Sequence, residues 1–241
     1  MKKAARWLAI GAGLVASTYC AYVGATWYRY GRNRTSAGDD ALLNKVLPDF
    51  DVAERHQIQI HAPADLVMST AVHSELDQSF AVQAIFRSRE LIFGGQPAPL
   101  PRPQGLLAQM KSIGWEVLAE IPEREIVMGA VTQPWVAKPF FRGLPPSEFV
   151  AFRDPGYVKI AWTLRVDPVD GSRSTFRTET RVATTDPESR SKFRNYWAVF
   201  SPGILLIRWF LLRQVKADAE WDARGRLPRN TGPNASWPQS G

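Results

Sequence analysis

The sequence predicts an α+β fold in which an antiparallel sheet packs against a long C-terminal helix. Residues 157–168 and 174–185 alternate apolar and polar side chains and are joined by Asp170-Gly171, a pattern typical of a β-hairpin. From Pro187 onward, apolar residues recur at three- and four-residue spacing, which predicts a long helix. An uncharged run from Trp7 to Tyr28 predicts a transmembrane helix in front of the domain.

The composition is that of a folded protein and carries no sign of a bound metal or cofactor. The chain has 241 residues, of which 45% are hydrophobic and 22% are charged. Its net charge of +7 could suit nucleic acid, an anionic lipid surface or simply solubility, and of these partners we expect a membrane and no nucleic acid. Cys20 is the single cysteine and only three histidines are present, so we expect no metal site and no cofactor.

The uncharged run is long enough to cross a bilayer. Its 22 residues would form a helix of about 33 Å, against a hydrocarbon core of about 30 Å. Basic residues flank both ends, and aromatic residues stand at the edges, where they favour the headgroup level. We therefore assign residues 1–30 to a single-pass membrane anchor, in a bacterial inner membrane. The flanking residues are Lys2, Lys3, Arg6, Trp7, Trp27, Tyr28, Arg29 and Arg32.

Two other interpretations of this segment were weighed. Gly11–Ala16 matches the G-x-G-x-x-A pattern of dinucleotide-binding loops, but a proper strand before it and an acidic residue about 20 positions after it are missing. A signal peptide cleaved after Val23-Gly24-Ala25, giving a secreted protein, is the alternative that stays open.

Small residues recur every four positions along the anchor, which would place them on one face of the helix. Such a stripe permits close helix–helix contact in lipid, so weak self-association through the transmembrane helix is a further hypothesis. The residues are Ala9, Gly13, Ser17, Ala21 and Ala25.

The remaining chain divides into a tether at 31–41, a domain at 42–221 and a disordered tail at 222–241, rich in Pro, Gly and Asn. Within the domain, alternation predicts strands at 55–60, 115–121 and 124–131 in addition to the hairpin. Helices are predicted at 66–75, 77–92 and 145–153, with a proline-rich loop at 94–105.

The C-terminal helix combines a strong start with an apolar middle. Asp186 and Pro187 are typical of a helix start, and Pro202-Gly203 predicts a kink. Residues 204–212 are strongly apolar, so some of them must pack in the core, and the remainder could dip into a membrane surface, with core or oligomer contact as the alternative. Candidates for contact with a membrane surface are Arg208, Trp209, Phe210 and Arg213.

Several stretches resemble bacterial members of the START-like (SRPBCC) superfamily, which includes polyketide cyclase-like and lipid-transfer proteins. They are residues 47–52 with 54–56, residues 62–64, residues 156–159 with Trp162, residues 178–182, and Phe193 with Tyr196-Trp197. The resemblance covers roughly residues 47–216. It implies the helix-grip fold, a curved antiparallel sheet around the C-terminal helix with an apolar cavity between them, and a hydrophobic ligand bound mostly without chemistry.

Candidate residues for that cavity lie on the inward faces of the predicted strands and helix. Threonines among apolar residues are compatible with a ligand pocket, although ordinary core packing is the alternative for each position. The candidates are His56, Trp162, Phe176, Thr178, Thr180, Tyr196 and Trp197. Glu179 lies between Arg177 and Arg181, and we predict for it an exposed cross-strand ion pair with Arg165 or Lys159.

Three functions follow from these observations. The first is a membrane-tethered START-like domain that binds a hydrophobic small molecule or lipid and catalyses no reaction. The second is a cyclase- or dehydratase-like enzyme that uses His56 or a cavity carboxylate. The third is a structural or assembly factor whose core is filled by its own side chains.

Overall fold

The computed structural model describes residues 2–31, 40–74 and 105–226. The predicted helix at 77–92, nearly all of the proline-rich loop at 94–105, and residues 227–241 lie outside these ranges. The described elements, in chain order, are α1 (Lys2–Arg29), α2 (Ala41–Val46), β1 (Val52–Ile60), α3 (Ala64–His73), α4 (Leu106–Ser112), β2 (Glu116–Ile121), β3 (Glu125–Thr132), α5 (Pro146–Ala151), β4 (Val158–Asp170), β5 (Arg173–Thr184) and α6 (Pro187–Arg226).

The five strands form one antiparallel sheet in the order β1-β5-β4-β3-β2. The first strand therefore pairs with the last, and the predicted hairpin of β4 and β5 forms the centre. This sheet with its long C-terminal helix confirms the predicted α+β fold class. The main difference from the predicted bounds is that β1 begins at Val52 and not at residue 55, because its first residues pair with β5 as far as Val182.

One face of the sheet, which we call the helix face, packs against α3 and α6. The inward residues of β4 and β5 meet the second half of α6 here in a single apolar cluster. Because neighbouring residues of a strand point to opposite faces, the other residues of β4 and β5 form a second face. The buried members of the cluster on β4, β5 and α6 are Trp162, Leu164, Val166, Phe176, Leu211, Leu212, Val215 and Ala219.

The second face, which we call the outer face, is also covered. Two six-residue helices that flank the sheet, α2 and α5, bury a separate cluster there. The predicted helix at 145–153 corresponds to α5, whereas α2 falls at the end of the predicted tether and the start of the domain and was not predicted as a helix. The cluster contains Leu43, Val46, Leu47, Leu118, Val127, Val131, Phe149, Phe152 and Ala161.

The start of α6 is stabilised as its sequence predicts. The Asp186 carboxylate accepts hydrogen bonds from the backbone N–H of Ser189 (2.9 Å) and of Gly156 (2.6 Å). These backbone hydrogen bonds, with Gly156 the strongest, hold the pKa of Asp186 well below its usual range. The helix contains Pro202 and continues to Arg226, so residues 222–226 of the predicted tail are helical.

The N-terminal helix α1 packs against the first part of α6. The Tyr19 hydroxyl donates to the Val199 carbonyl (2.6 Å), and the Trp27 indole N–H donates to the side-chain oxygen of Asn195 (3.1 Å). Within the described residues, one helix is apolar and long enough to cross a membrane by length and composition, and it is Pro187–Gly225. The buried positions of this helix form the core of the domain, and the spanning of a membrane by α1 stays a prediction.

Candidate functional site

Three strands bring the predicted cavity residues together on the helix face. In the antiparallel register, His56 lies directly opposite Thr178, and Trp162 lies directly opposite Thr180. Side chains of directly opposed residues point to the same face, with Cβ atoms about 4.5–5.5 Å apart. Thr178 and Thr180 are two residues apart, so they also share this face. His56, Trp162, Thr178 and Thr180 therefore form one contiguous group, as the sequence predicts.

This group contains buried polar atoms that have no hydrogen-bond partner among the described residues. They are Nδ1 of His56, the indole Nε1 of Trp162, and the indole Nε1 of Trp115. Trp115 meets Trp162 edge to face, with ring centroids 6.3 Å apart, and both belong to the apolar cluster of the helix face. More than nine in ten buried polar groups in proteins are hydrogen-bonded, so three exceptions in one region call for an explanation.

Arg208 reaches this group from α6. Its Nη1 donates to the backbone carbonyl of Glu54 on β1 (3.1 Å). Burial lowers the pKa of Arg208 to about 10, which still leaves it charged at neutral pH. Burial also raises the pKa of the Glu54 carboxyl, although Arg208 opposes that effect. Burial and the Arg208 charge both lower the pKa of His56, so the imidazole is neutral at pH 7.

The other predicted cavity residues are placed within the core. Phe176 is fully buried in the cluster of the helix face. Trp197 is buried in a third cluster at the start of α6, where its ring lies 5.8 Å from that of Phe193. Tyr196 is partly buried, and its ring stacks on that of Phe200 at 4.9 Å. Phe176 lies beside the group, two residues along β5 from Thr178, whereas Tyr196 and Trp197 pack α6 against the sheet farther along the strands from His56.

The prediction for Glu179 is correct in that a cross-strand ion pair forms, with Arg55 on β1, but it is wrong about the exposure of Glu179 and about the two named partners. Glu179 is buried, and its carboxylate pairs with Arg181 (Nε–Oε1 2.8 Å) and accepts a hydrogen bond from Nε of Arg55 (2.7 Å). Neither predicted partner is used. Arg165 pairs with Asp167 (2.9 Å), and Lys159 donates to the carbonyl of Val150 (3.0 Å).

The reason for this error is the cover on the outer face. The chain around α2 lies over the end of β5, so that Arg181 donates to the carbonyl of Leu47 (3.1 Å). The Arg181 guanidinium also lies 4.7 Å from the ring centroid of Phe50. This segment shields Glu179 and Arg181 from solvent, and alternation within β5 alone cannot reveal a cover supplied from elsewhere in the chain.

The predicted membrane-contact residues divide into two groups. Arg208 lies against β1, as described above, and so is directed towards the sheet. Trp209 is 46% exposed, Arg213 is exposed, and the Arg213 guanidinium lies 4.3 Å from the Trp209 ring centroid. Phe210 is partly buried and contacts the Trp209 ring edge to face.

A cleft of about 460 Å³ opens elsewhere, beside the start of α6. Three carboxylates, those of Asp49, Asp51 and Asp186, and one guanidinium, that of Arg190, line it. Arg190 pairs with Asp51 (2.6 Å), which also accepts from the Thr184 hydroxyl (2.6 Å). No group of three or more metal-ligating side chains comes together within residues 2–31, 40–74 and 105–226. The cleft is lined by Pro48, Asp49, Phe50, Asp51, Ala183, Thr184, Thr185, Asp186, Pro187 and Arg190.

Sequence reasoning missed two members of the group on the helix face. Glu54 continues the alternation of His56 and Ile58, and it would have been found if the predicted strand had begun earlier. Trp115 precedes β2, and no pattern in the sequence relates it to Trp162. The inward orientation of Arg208 is a consequence of the angle at which α6 crosses the sheet, which spacing along one helix does not define.

No family model matches the sequence, and no curated protein matches it. Similar solved structures include a hypothetical protein from Helicobacter pylori, with 10% identity over 77% of this chain and 98% of that chain and a TM-score of 0.39. A norcoclaurine synthase from Thalictrum shows 11% identity over 69% of this chain and 94% of that one, with a TM-score of 0.32.

An aromatase/cyclase from a Streptomyces species shows 16% identity over 70% of this chain and 93% of that chain, with a TM-score of 0.25. The chain has the helix-grip architecture. The order of its elements, with one antiparallel sheet and a long C-terminal helix, agrees with the fold that the predicted START-like resemblance implies. At these identities and TM-scores, the similarities support no conclusion about substrate or reaction.

Proposed function

We propose that this domain binds a hydrophobic small molecule or lipid between the sheet and α6, catalyses no reaction, and is held at a membrane by α1. The observation that carries the proposal is the set of buried polar atoms without partners at His56, Trp162 and Trp115. Around them most of the helix face is apolar, with Glu54 and Arg208 as charged exceptions. An apolar surround with a few convergent polar groups is the usual composition of a small-molecule site.

The chemistry of these atoms constrains the ligand. An indole N–H can only donate a hydrogen bond, so Trp162 and Trp115 both require an acceptor. Nδ1 of the neutral His56 imidazole can either donate or accept a hydrogen bond, depending on the tautomer. A ligand with an oxygen acceptor at one end and an apolar body would satisfy these groups. A fatty acid or a polyketide-like carbonyl compound has this composition.

A fluorescent fatty acid, cis-parinaric acid, tests this site with the full-length protein in detergent micelles. We expect saturable binding with wild-type protein. Replacing Trp162 by Phe retains an aromatic ring but removes the donor, and loss of a hydrogen bond of about 1 kcal/mol corresponds to roughly fivefold weaker binding. The matched control is Trp221→Phe, because Trp221 is 72% exposed on α6. Equal affinities for the two variants would place the fatty acid elsewhere.

An enzyme is the second candidate, because Glu54 and His56 lie two residues apart on the helix face. A neutral, partly buried histidine beside a carboxyl with a raised pKa is a possible pair for proton transfer. An enzyme of the dehydratase type would release a compound lighter by one water molecule than the compound supplied. A His56→Gln variant would bind the supplied compound and release it unchanged. Return of unchanged compound by the wild type supports the binding protein.

A further inference from the structure

The two helices that the sequence associates with a membrane are packed antiparallel along one stretch. On α1 the contacts run from Tyr19 to Trp27, and on α6 they run from Arg194 to Ser201. The Tyr22 and Ser201 hydroxyls are 3.1 Å apart, and the Arg194 Nε donates to the Trp27 carbonyl (2.9 Å). The Arg194 guanidinium also lies 3.4 Å from the Trp27 ring centroid. The second half of α1 is thus attached to the domain.

The first half of α1 projects from the domain. Its described side chains from Arg6 to Thr18 are exposed whichever way they point, including Trp7 (73%), Leu14 (64%) and Val15 (71%). Apolar residues exposed all around a helix are stable in lipid rather than in water.

The length of the projecting half constrains the depth of the domain. From Trp7 to Thr18 there are 12 residues, which span about 18 Å as a helix, whereas the hydrocarbon core is about 30 Å thick. A spanning α1 therefore needs residues beyond Tyr19 within the bilayer. Those residues are the ones that contact α6. About 20 residues from Trp7 onward are needed to cross the core, and they reach Trp27. The part of α6 around Val199, which contacts Tyr19, must therefore lie within the bilayer if α1 crosses it.

The outward side of α6 has the composition that such a position requires. Leu206 is 43% exposed and Trp209 is 46% exposed, and Arg213 follows on the same side of the helix. Only 28% of the most apolar 18-residue window of α6 is buried. Tryptophan and arginine beside exposed aliphatic residues are typical of the headgroup region.

We propose that α6 lies with its Val199, Leu206 and Trp209 side in contact with the lipid of the bilayer that α1 spans. The inference rests on the membrane anchor of the proposed function. It goes further, because the domain is then fixed against the membrane and does not swing on a flexible tether. The occupant of this face of α6 is the lipid surface itself.

The test uses full-length protein reconstituted in vesicles of phosphatidylcholine and phosphatidylglycerol, with a fluorescent label quenched by lipids that carry a nitroxide near the headgroup. Wild-type protein is labelled at Cys20, its only cysteine. A Cys20→Ser protein carries Leu206→Cys in one sample and Val169→Cys in another. Val169 is 54% exposed, so the exposure of the two positions is comparable.

Val169 is the matched control because of its place in the sheet. It lies at the end of β4 opposite Val158, and Val158 belongs to the cluster that also contacts Tyr30 beside α1. Val158 and Val169 are 11 positions apart, which corresponds to about 36 Å along a strand. The control position is thus far from the proposed lipid contact.

We expect strong quenching at Cys20 and at Leu206→Cys, and little at Val169→Cys. Quenching at Cys20 without quenching at Leu206→Cys would overturn this inference and leave the anchor intact. Absence of quenching at Cys20 would overturn the anchor, and the inference with it. Equal quenching at Leu206→Cys and Val169→Cys would also contradict the inference. Such a result would mean that α6 is no closer to the lipid than the rest of the domain.

Discussion

Arg181 and Glu179 form an ion pair that is shielded from solvent on the outer face of the sheet. The Arg181 side chain is fully buried, and its Nε lies 2.8 Å from the Glu179 carboxylate. The segment that follows α2 supplies a carbonyl and an aromatic ring to the guanidinium. This pair joins the N-terminal part of the domain to strand β5.

Loss of Arg181 is therefore expected to be costly. An Arg181→Met variant retains most of the side-chain volume but leaves Glu179 buried with only Arg55 as partner. Breaking a buried pair in this way costs about 3–5 kcal/mol of unfolding free energy. Urea denaturation of the detergent-solubilised protein measures the loss. Arg173→Met is the control on the same strand, because its pair with Asp170 is exposed and should matter little. Equal losses in the two variants would contradict the assignment.

The stability of the domain should fall as pH rises, because of Glu125. This buried residue faces Asp40, Arg165 and Asp167. Burial, together with a hydrogen bond and repulsion from Asp40, raises the pKa of Glu125 from 4.5 to about 8. Between pH 4.5 and about pH 8, Glu125 holds a proton in the folded protein that it has lost in the unfolded chain. The free energy of unfolding therefore decreases from pH 4.5 to about pH 8 and does not change further above it through this group.

A Glu125→Gln variant separates this effect from all other titrations. Glutamine is neutral at every pH and similar in shape, so the variant should lose the part of the pH dependence that Glu125 contributes. Urea unfolding midpoints at pH 5, 6, 7 and 8 should show a smaller downward slope for the variant than for the wild type. Two parallel curves would show that Glu125 is ionised in the folded protein.

The contact between α1 and α6 should depend on Arg194. Its guanidinium contacts Trp27 through both a hydrogen bond to the carbonyl and a position over the ring. In an Arg194→Ala variant, we expect the backbone amides of residues 19–29 to exchange hydrogen faster, because the helix pair opens more often. Hydrogen–deuterium exchange of the detergent-solubilised protein measures this.

Lys192→Ala is the control for that experiment. Lys192 lies on the same turn of α6, and its partner is the exposed Glu188 (2.7 Å) and not α1. Its removal should leave exchange in α1 unchanged. Unchanged exchange in the Arg194 variant as well would mean that this contact does not hold α1 to the domain.

The elements that the sequence predicts correctly are those defined by local patterns. Alternation with Asp170-Gly171 predicts the hairpin, Asp186 with Pro187 predicts the start of α6, and alternation places His56 inward. The part of the outer cover that α2 supplies was not predicted, because α2 has only six residues and buries only Leu43 and Val46.

The same reason explains what was missed at the site. The group on the helix face combines residues from β1, β4, β5 and α6, and their mutual distances follow from strand register and from the path of α6. Only the residues within one strand, such as Thr178 and Thr180, can be related by spacing alone. Arg208 illustrates the limit, since its helix position is clear from the sequence but its contact with Glu54 is not.

Native mass spectrometry of the detergent-extracted full-length protein tests the central claim most directly. Binding of an apolar ligand at the helix face predicts a non-covalent adduct that dissociates on activation and is identified in the organic extract as a lipid or apolar metabolite. The Trp162→Phe variant should carry less of it than Trp221→Phe. Recovery of bare protein, both as extracted and after incubation with total host lipids and apolar metabolites, would contradict the binding function.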